Sequence, residues 1–281
     1  MLKIEKISKS FKKTDIINGL SFDFENKTYG ILGPNGSGKT TLMRCITGVY
    51  DCRGKVSIDG KNTEKCYVGK KFAIGYLPQH FGLFKELRLD EMMAYLATQR
   101  GISRSCQKDE IDNALELVNL SGEKKKRVGA LSGGMLRRAG IAQTMLGNPK
   151  CIILDEPTAG LDPEECMRFR TTIAQIKRDR TILISTHIVE DVETTCDEII
   201  IMDKGKFVFC GTVSALCALA ENKVYDIEKN AACKLSGTYF VEKESLINNV
   251  ARIRVLSNSQ QEFTSVEPNV EDGYICCLKN I

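Results

Sequence analysis

One short segment constrains this 281-residue chain more than any other. Residues 33–40 read GPNGSGKT, which fits the pattern G-x-x-x-x-G-K-[S/T]. An apolar run at 29–32 predicts a strand just before the segment, and residues 40–48 predict a helix just after it. Glycines let backbone N–H groups turn toward a phosphate, and the helix adds the positive end of its dipole. The sequence therefore predicts a phosphate-binding loop between a strand and a helix.

Two side chains of this loop can do more than bind a phosphate. Lys39 can reach the outer phosphates of a nucleotide as a point charge, and the Thr40 hydroxyl can bind Mg²⁺. The alternative is an ordinary glycine turn, which the flanking strand and helix disfavour. The predicted nucleotide-binding residues of this segment are Gly33, Pro34, Asn35, Gly36, Ser37, Gly38, Lys39, Thr40 and Thr41.

A second strand can supply the carboxylates that such a loop needs. Residues 151–154 form an apolar run, and Asp155 and Glu156 follow it directly. We expect Asp155 to hold the metal, and Glu156 to orient or deprotonate the attacking water. A pair of surface acids after a buried strand is common, so the phosphate-binding loop upstream is what favours a catalytic interpretation.

Composition limits the class of protein. With 42% apolar and 27% charged residues, the chain is expected to fold around a core. The net charge of +4 falls short of the basic footprint of a dedicated nucleic-acid binder, and we expect no nucleic-acid partner. The 12 cysteines include no C-x-x-C pair, and the two histidines leave little for a zinc cluster, so we expect reduced thiols. No run of 18 apolar residues predicts a membrane span.

Strand-like and helical segments alternate along the chain, which predicts an α/β fold with a mostly parallel sheet. Residues 83–147 are mostly helical and polar, and we expect an inserted helical subdomain there. After residue 211 the pattern changes to one helix followed by short strand-like runs in polar surroundings, so we place a domain boundary near residue 221. This divides the chain into a nucleotide-binding domain, 1–221, and a small C-terminal α/β accessory domain, 222–281. Strands are predicted at 2–7, 16–24, 73–77, 151–154, 181–185, 198–202, 206–210, 223–227, 239–242 and 251–256, and helices at 91–97, 111–120 and 214–221.

The segment Leu131-Ser132-Gly133-Gly134-Met135 makes the functional prediction specific. It lies between the two motifs above and opens a predicted helix that runs to about Leu146. With those motifs it resembles the signature of the ATP-binding subunits of ATP-binding cassette (ABC) transporters, LSGG usually followed by Gln. The resemblance implies that Ser132, Gly133 and Gly134 face the γ-phosphate held by a second subunit. The alternative is a serine helix cap followed by flexible glycines.

Four further positions match the same family in the expected order. The resemblance implies that Phe11 stacks on adenine and that Gln79 senses the metal and contacts a transmembrane partner. It implies that Asp162 points across a dimer and that His187 contacts the γ-phosphate. For Phe11 the alternative is an ordinary core residue, and for His187 it is a surface or core histidine.

The resemblance covers about residues 1–211 and carries expectations about architecture and partners. It implies a P-loop core with an antiparallel N-terminal β subdomain, and ATP and Mg²⁺ as cofactors. The expected partners are a second ATPase subunit, identical or a paralogue, and a transmembrane permease that holds the protein at the cytoplasmic face of the membrane. Residues 79–82, 157–162 and 266–274 are similar to ATPases of ABC-2-type exporters of the multidrug, peptide and bacteriocin-resistance kind. The alternative for the tail is an appendage that covers a sheet edge.

Other functions of ABC-type ATPases stay open at this level. Lys39 and Ser132 are too close in sequence for an inserted long coiled coil, and a single phosphate-binding loop disfavours the translation-factor group. A soluble ATPase of iron–sulfur assembly remains as the alternative. A regulatory subunit that binds ATP without turnover is disfavoured by Glu156 and His187. The motifs identify neither the cargo nor the direction of transport.

Overall fold

The computed structural model describes residues 1–62 and 74–281, and its strands form three sheets. Cys66 and the predicted strand residue Ala73 lie outside the described residues. The strands of the N-terminal half are β1 (Leu2–Phe11), β2 (Thr14–Phe24), β3 (Thr28–Leu32), β4 (Arg53–Ile58), β5 (Lys61–Asn62) and β6 (Ile74–Leu77). Those of the C-terminal half are β7 (Cys151–Asp155), β8 (Thr181–Ser185), β9 (Glu198–Asp203), β10 (Lys206–Gly211), β11 (Val224–Glu228), β12 (Tyr239–Ile247) and β13 (Val250–Ser257).

The central sheet has the order β10-β9-β3-β8-β7-β6, and all its neighbouring pairs are parallel except β10 with β9. An antiparallel sheet, β2-β1-β4-β5, is formed by the N-terminal segment. The strands β3, β7 and β8 are buried along their whole length, as expected for parallel strands covered on both faces. The predicted fold class, a mostly parallel α/β core with an antiparallel N-terminal subdomain, is confirmed.

The helices lie on both faces of the central sheet. They are α1 (Lys39–Ile46), α2 (Leu89–Gln99), α3 (Arg104–Leu117), α4 (Gly133–Met145), α5 (Pro163–Ile176), α6 (Val189–Thr195), α7 (Val213–Ala218) and α8 (Val270–Lys279). Alternation along the buried strands separates two apolar clusters. Ile153 and Leu183 pack with α1 and the antiparallel sheet, whereas Ile152 and Ile184 pack with α2 to α5.

The inserted helical subdomain of the predicted fold is present. Helices α2, α3 and α4 contact one another and lie between β6 and β7 in sequence. None of the helices among the described residues is long and apolar enough to cross a membrane.

The C-terminal residues form a third sheet, the antiparallel β11-β13-β12. The last helix, α8, returns to the central sheet, where Val270 and Tyr274 share an apolar cluster with Leu32, Ile199 and Leu216. A division of the chain near residue 221 stays a prediction, and α8 is the element that joins the two parts.

Several boundaries differ from the sequence predictions. The helix predicted at 40–48 ends at Ile46, and Gly48, with φ of 72°, lies beyond it. The helix predicted at 111–120 begins at Arg104, because its first turns are too polar to show an apolar period. Five of the strands and helices given above were not predicted: β4, β5, α5, α6 and α8. The sequences of β4, β5, α5 and α6 are dominated by polar residues, and contacts with the rest of the fold decide their conformation.

The register of the central sheet determines where the functional residues meet. Ser185 at the end of β8 pairs with Ile31 of β3 on one side and with Asp155 of β7 on the other. Leu77, the last residue of β6, pairs with Leu154, one residue before Asp155. Because these strands are parallel, their carboxyl ends lie along one edge of the sheet. The phosphate-binding loop, Asp155, and the segments that follow β6 and β8 therefore leave the sheet side by side.

Candidate functional site

The phosphate-binding loop closes around its own lysine. The Nζ of Lys39 donates hydrogen bonds to the carbonyl oxygens of Gly33 at 2.7 Å and Pro34 at 3.3 Å. Gly33 adopts φ of 159°, and a Cβ at this position would lie 2.2 Å from the carbonyl oxygen of Met202. No other residue type fits there. The Ser37 hydroxyl is buried and has no hydrogen-bond partner among the described residues.

Lys39 is a cation with little access to solvent. It is 7% exposed, and burial lowers its pKa, although the charges of Glu156 and Asp155 oppose this effect. A buried ammonium is unfavourable unless an anion compensates its charge. The loop is therefore a site whose electrostatics favour a bound phosphate.

Asp155 lies at the base of the loop with one oxygen free for a ligand. Its Oδ1 accepts hydrogen bonds from the Thr40 hydroxyl at 3.2 Å and from the Ser185 hydroxyl at 2.5 Å. Its Oδ2 is buried and has no hydrogen-bond partner within residues 1–62 and 74–281. A hydroxyl beside an unpaired carboxylate oxygen fits Mg²⁺, which prefers oxygen ligands.

Glu156 has a strained backbone and a fixed side chain. Its φ is 51°, which is uncommon for a residue other than glycine. Its N–H donates to the carbonyl oxygen of Ser185 at 3.1 Å and approaches the Ser185 hydroxyl oxygen at 3.0 Å. The Oε2 of Glu156 lies 2.7 Å from Nδ1 of His187, whose side chain is 56% exposed while that of Glu156 is 9% exposed. His187 therefore orients a buried carboxylate from the side that faces solvent.

Lys39, Thr40 and Glu156 line one cavity of about 340 Å³, which is of the size expected for a small-molecule site. Asp155 and His187 contact Thr40 and Glu156 without lining the cavity themselves. Phe11 lies at its rim and is 41% exposed. The edge of its ring meets Tyr50 at a centroid distance of 5.3 Å, and the Tyr50 hydroxyl accepts a hydrogen bond from Arg44 at 2.6 Å. The cavity is lined by Phe11, Ile16, Asn35, Gly36, Gly38, Lys39, Thr40, Thr41, Gln79 and Glu156.

The remaining predicted residues are not among those that line this cavity. Ser132 caps α4, its hydroxyl accepting from the Met135 N–H at 3.2 Å. Asp162 caps α5 in the same way, with the Glu165 N–H as donor at 2.8 Å. A Cβ on Gly134 would approach Glu165 to 2.7 Å, whereas one on Gly133 would meet nothing within 4 Å.

Sequence reasoning missed two supporting residues. Ser185 contacts both Asp155 and the backbone of Glu156, and Tyr50 holds the ring of Phe11. The sequence signal for Ser185 is weak, since it is only the last residue of an apolar strand. No sequence pattern indicated Tyr50, because its contact with Phe11 depends on how β1 packs near the end of α1.

The arrangement can transfer a phosphoryl group to water. Lys39 and Glu156 line one cavity, Asp155 contacts Thr40 beside it, and His187 contacts Glu156. Reactions of this kind depend on positioning and on electrostatic stabilisation of the transferred group. The site therefore suits the hydrolysis of a nucleoside triphosphate.

Comparison with known proteins agrees with this chemistry. A family model described as ABC transporter matches residues 17–159. The linearmycin resistance ATP-binding protein LnrL of Bacillus subtilis (strain 168) is 33% identical over 221 residues, which are 78% of this chain and 71% of that protein. The Nod factor export ATP-binding protein I of Rhizobium sp. (strain N33) is 30% identical over 250 residues, 86% of this chain and 77% of that protein.

A solved structure of an ATP binding subunit of an ABC transporter has a similar fold. The TM-score is 0.69 at 25% sequence identity, and the match covers 78% of this chain and 92% of that one.

Proposed function

This chain belongs to the ABC transporter family as an ATP-binding subunit, and from that premise we propose that two subunits close around two ATP molecules to drive a separate permease. It is an ATP hydrolase of that family. One subunit would supply Lys39, Asp155, Glu156 and His187 to each ATP. The second would supply the N-terminus of helix α4, which Ser132 caps.

Gly133 supports a trans-acting role for this helix end. It has no positive φ, and a Cβ there would have open space around it, so nothing within the described chain requires glycine. A small residue at an exposed helix N-terminus lets a phosphate approach the backbone N–H groups closely. Because Ser132 does not line the cavity around Lys39, that phosphate would be held by the partner subunit.

Each residue of the site has a separable task. Lys39 would exchange the carbonyl oxygens of Gly33 and Pro34 for phosphate oxygens. The Thr40 hydroxyl and Asp155 would hold Mg²⁺, with Gln79 nearby, and the ion would offset charge on the phosphates. Glu156 would orient or deprotonate the attacking water, and His187 would hold that carboxylate in place.

Two exposed aromatic residues support a docking surface for the permease. Phe84 and Tyr95 are 54% and 45% exposed, and their rings meet at 5.7 Å. Both lie near the start of the helical subdomain, which follows Gln79 in sequence. We propose that the permease binds there and holds the subunit at the cytoplasmic face of the membrane, where ATP is available. The names of the linearmycin resistance and Nod factor export relatives favour export as the direction of transport.

The contact between Glu156 and His187 carries the proposal, and Glu156→Gln tests it. The substitution keeps the shape of the side chain and removes the base. We expect hydrolysis, measured as phosphate release with ATP and Mg²⁺, to fall by about 10²-fold or more. ATP should still bind, so the variant should accumulate as an ATP-bound dimer in size-exclusion chromatography with light scattering.

Glu244→Gln is a matched control, because Glu244 forms an exposed ion pair with Lys229 at 2.7 Å on β12. It should hydrolyse ATP at the wild-type rate. Hydrolysis at the wild-type rate by Glu156→Gln would show that the assigned role of Glu156 is wrong. A Glu156→Gln protein that binds ATP but stays monomeric would contradict the two-subunit site.

A further inference from the structure

Arg137 on helix α4 contacts the backbone at two edges of the nucleotide site. Its Nε donates to the carbonyl oxygen of Pro157 at 2.7 Å, and its Nη1 donates to that of Gln79 at 3.1 Å. Its Nη2 donates to the carbonyl oxygen of Asp155 at 3.3 Å and also to that of Glu156. Arg137 is 8% exposed. One buried guanidinium therefore binds the backbone of Gln79, Asp155 and Glu156, the residues proposed to serve the metal and to orient the attacking water.

The surroundings of Arg137 keep the guanidinium in this position. Its centre lies 5.7 Å from the ring centroid of Phe81, two residues after Gln79. Gly140 makes room for that ring, because a Cβ there would lie 2.5 Å from it. Gly75 of β6 lets α4 approach closely, since a Cβ on it would lie 2.2 Å from the Thr144 carbonyl oxygen. Helix α4 and β6 thus form a tightly packed support.

Only a guanidinium suits this set of acceptors. It presents five N–H donors in a rigid planar fork, whereas a lysine ammonium presents three on a flexible stem. Burial lowers the pKa of Arg137, while the charges of Asp155 and Glu156 oppose this effect. An arginine starts from so high a pKa that the group stays charged. The left-handed backbone of Glu156 is thus held by Ser185 at its N–H and by Arg137 at its carbonyl oxygen.

We propose that Arg137 is a positioning residue for ATP hydrolysis. It fixes the backbone of Gln79 and Glu156 relative to helix α4. The inference rests on the proposed function, because α4 is also the helix whose first residues would meet the partner's ATP. Arg137 is not among the residues that line the cavity around Lys39. It acts by fixing where the Glu156 carboxylate lies, and so it links the two ends of the subunit that serve different ATP molecules.

The test compares Arg137→Gln and Arg137→Lys with the wild type in steady-state ATP hydrolysis. We expect kcat to fall about tenfold or more in Arg137→Gln, since small displacements of a catalytic group are costly. The KM for ATP should change by less than about threefold, because the loop around Lys39 is untouched. Arg137→Lys should be intermediate, and it replaces Arg137→Gln if that variant does not fold. Binding of a fluorescent N-methylanthraniloyl ATP should persist in both.

Arg100→Gln is the matched control. Arg100 also donates to carbonyl oxygens of α4 and its end, those of Thr144 at 3.3 Å and Leu146 at 2.8 Å, far along the helix from Ser132. It should lose thermal stability without losing kcat. A kcat for Arg137→Gln within about twofold of that for Arg100→Gln would overturn the inference, and so would loss of nucleotide binding. Absence of hydrolysis by the wild type would instead contradict the proposed function.

Discussion

Replacing Glu242 by Gln should stabilise the protein in a manner that depends on pH. Glu242 lies on β12, where its side chain is 6% exposed, 3.3 Å from Nε of Arg254. That guanidinium already binds Asp272 on α8, through Nη2 at 2.5 Å and Nε at 3.1 Å. The Oε2 of Glu242 has no hydrogen-bond partner among the described residues. Two buried carboxylates therefore share one arginine. Asp272 accepts two hydrogen bonds from it, whereas Oε2 of Glu242 accepts none.

The magnitude follows from the pKa. Burial, with a further contribution from the charge of Asp272, raises the pKa of Glu242 from 4.5 to about 7. Between these values the folded state keeps a proton that the unfolded state releases, so stability falls as pH rises through this window. At about 1.4 kcal/mol per pKa unit, the full loss is about 3 kcal/mol. About 2 kcal/mol of it falls between about pH 5.5 and 8.

The assay is thermal unfolding of wild type and Glu242→Gln across this pH range. Gln cannot ionise, so the advantage in Tm of the variant should grow by about 4 °C or more from about pH 5.5 to 8. Glu244→Gln, on the same strand but exposed, should show no such growth. If the Tm values of wild type and Glu242→Gln changed in parallel with pH, folding would not raise the pKa of Glu242. That result would refute the reasoning.

Two other substitutions test the packing and the phosphate-binding loop. Gly75→Ala should destabilise the fold by about 1–3 kcal/mol, because its Cβ would lie 2.2 Å from a carbonyl oxygen of α4, whereas Gly82→Ala, with nothing within 4 Å, should leave Tm unchanged. Equal Tm values for Gly75→Ala and Gly82→Ala would mean that α4 can move away from β6 at little cost in stability. Lys39→Met should weaken binding of fluorescent ATP about tenfold or more. It should not lower the Tm of the nucleotide-free protein, since burial already disfavours the charged lysine. Unchanged ATP binding would contradict its role.

Local sequence patterns predicted most of the residues around the phosphate-binding loop. The glycines of 33–40 are dictated by backbone geometry and space, as Gly33 shows, because a Cβ there would lie 2.2 Å from the carbonyl oxygen of Met202. The apolar run before Asp155 predicted a buried strand because parallel strands are covered on both faces. Such signals lie within a few residues of one another, and so they can be read from one stretch of chain.

Residues that act through distant partners gave no comparable signal. Ser185 is 30 positions from Asp155, and Arg137 is 18 positions from it. An arginine in a helix normally predicts a solvated side chain. Its burial here depends on the packing of α4 against β6 and on the space that Gly140 leaves for Phe81. No periodicity along α4 encodes that geometry.

By itself, then, the sequence determined which chemistry the chain carries: a phosphate-binding loop, two carboxylates after a strand, a serine-glycine helix start and a histidine. Tertiary structure alone decided how those groups are held. The parallel register aligned Ile31, Ser185 and Asp155 in one row. The packing of α4 placed Arg137 against the backbone of Glu156. The physical reason is that motif chemistry is local, whereas orientation depends on contacts between segments far apart in the chain.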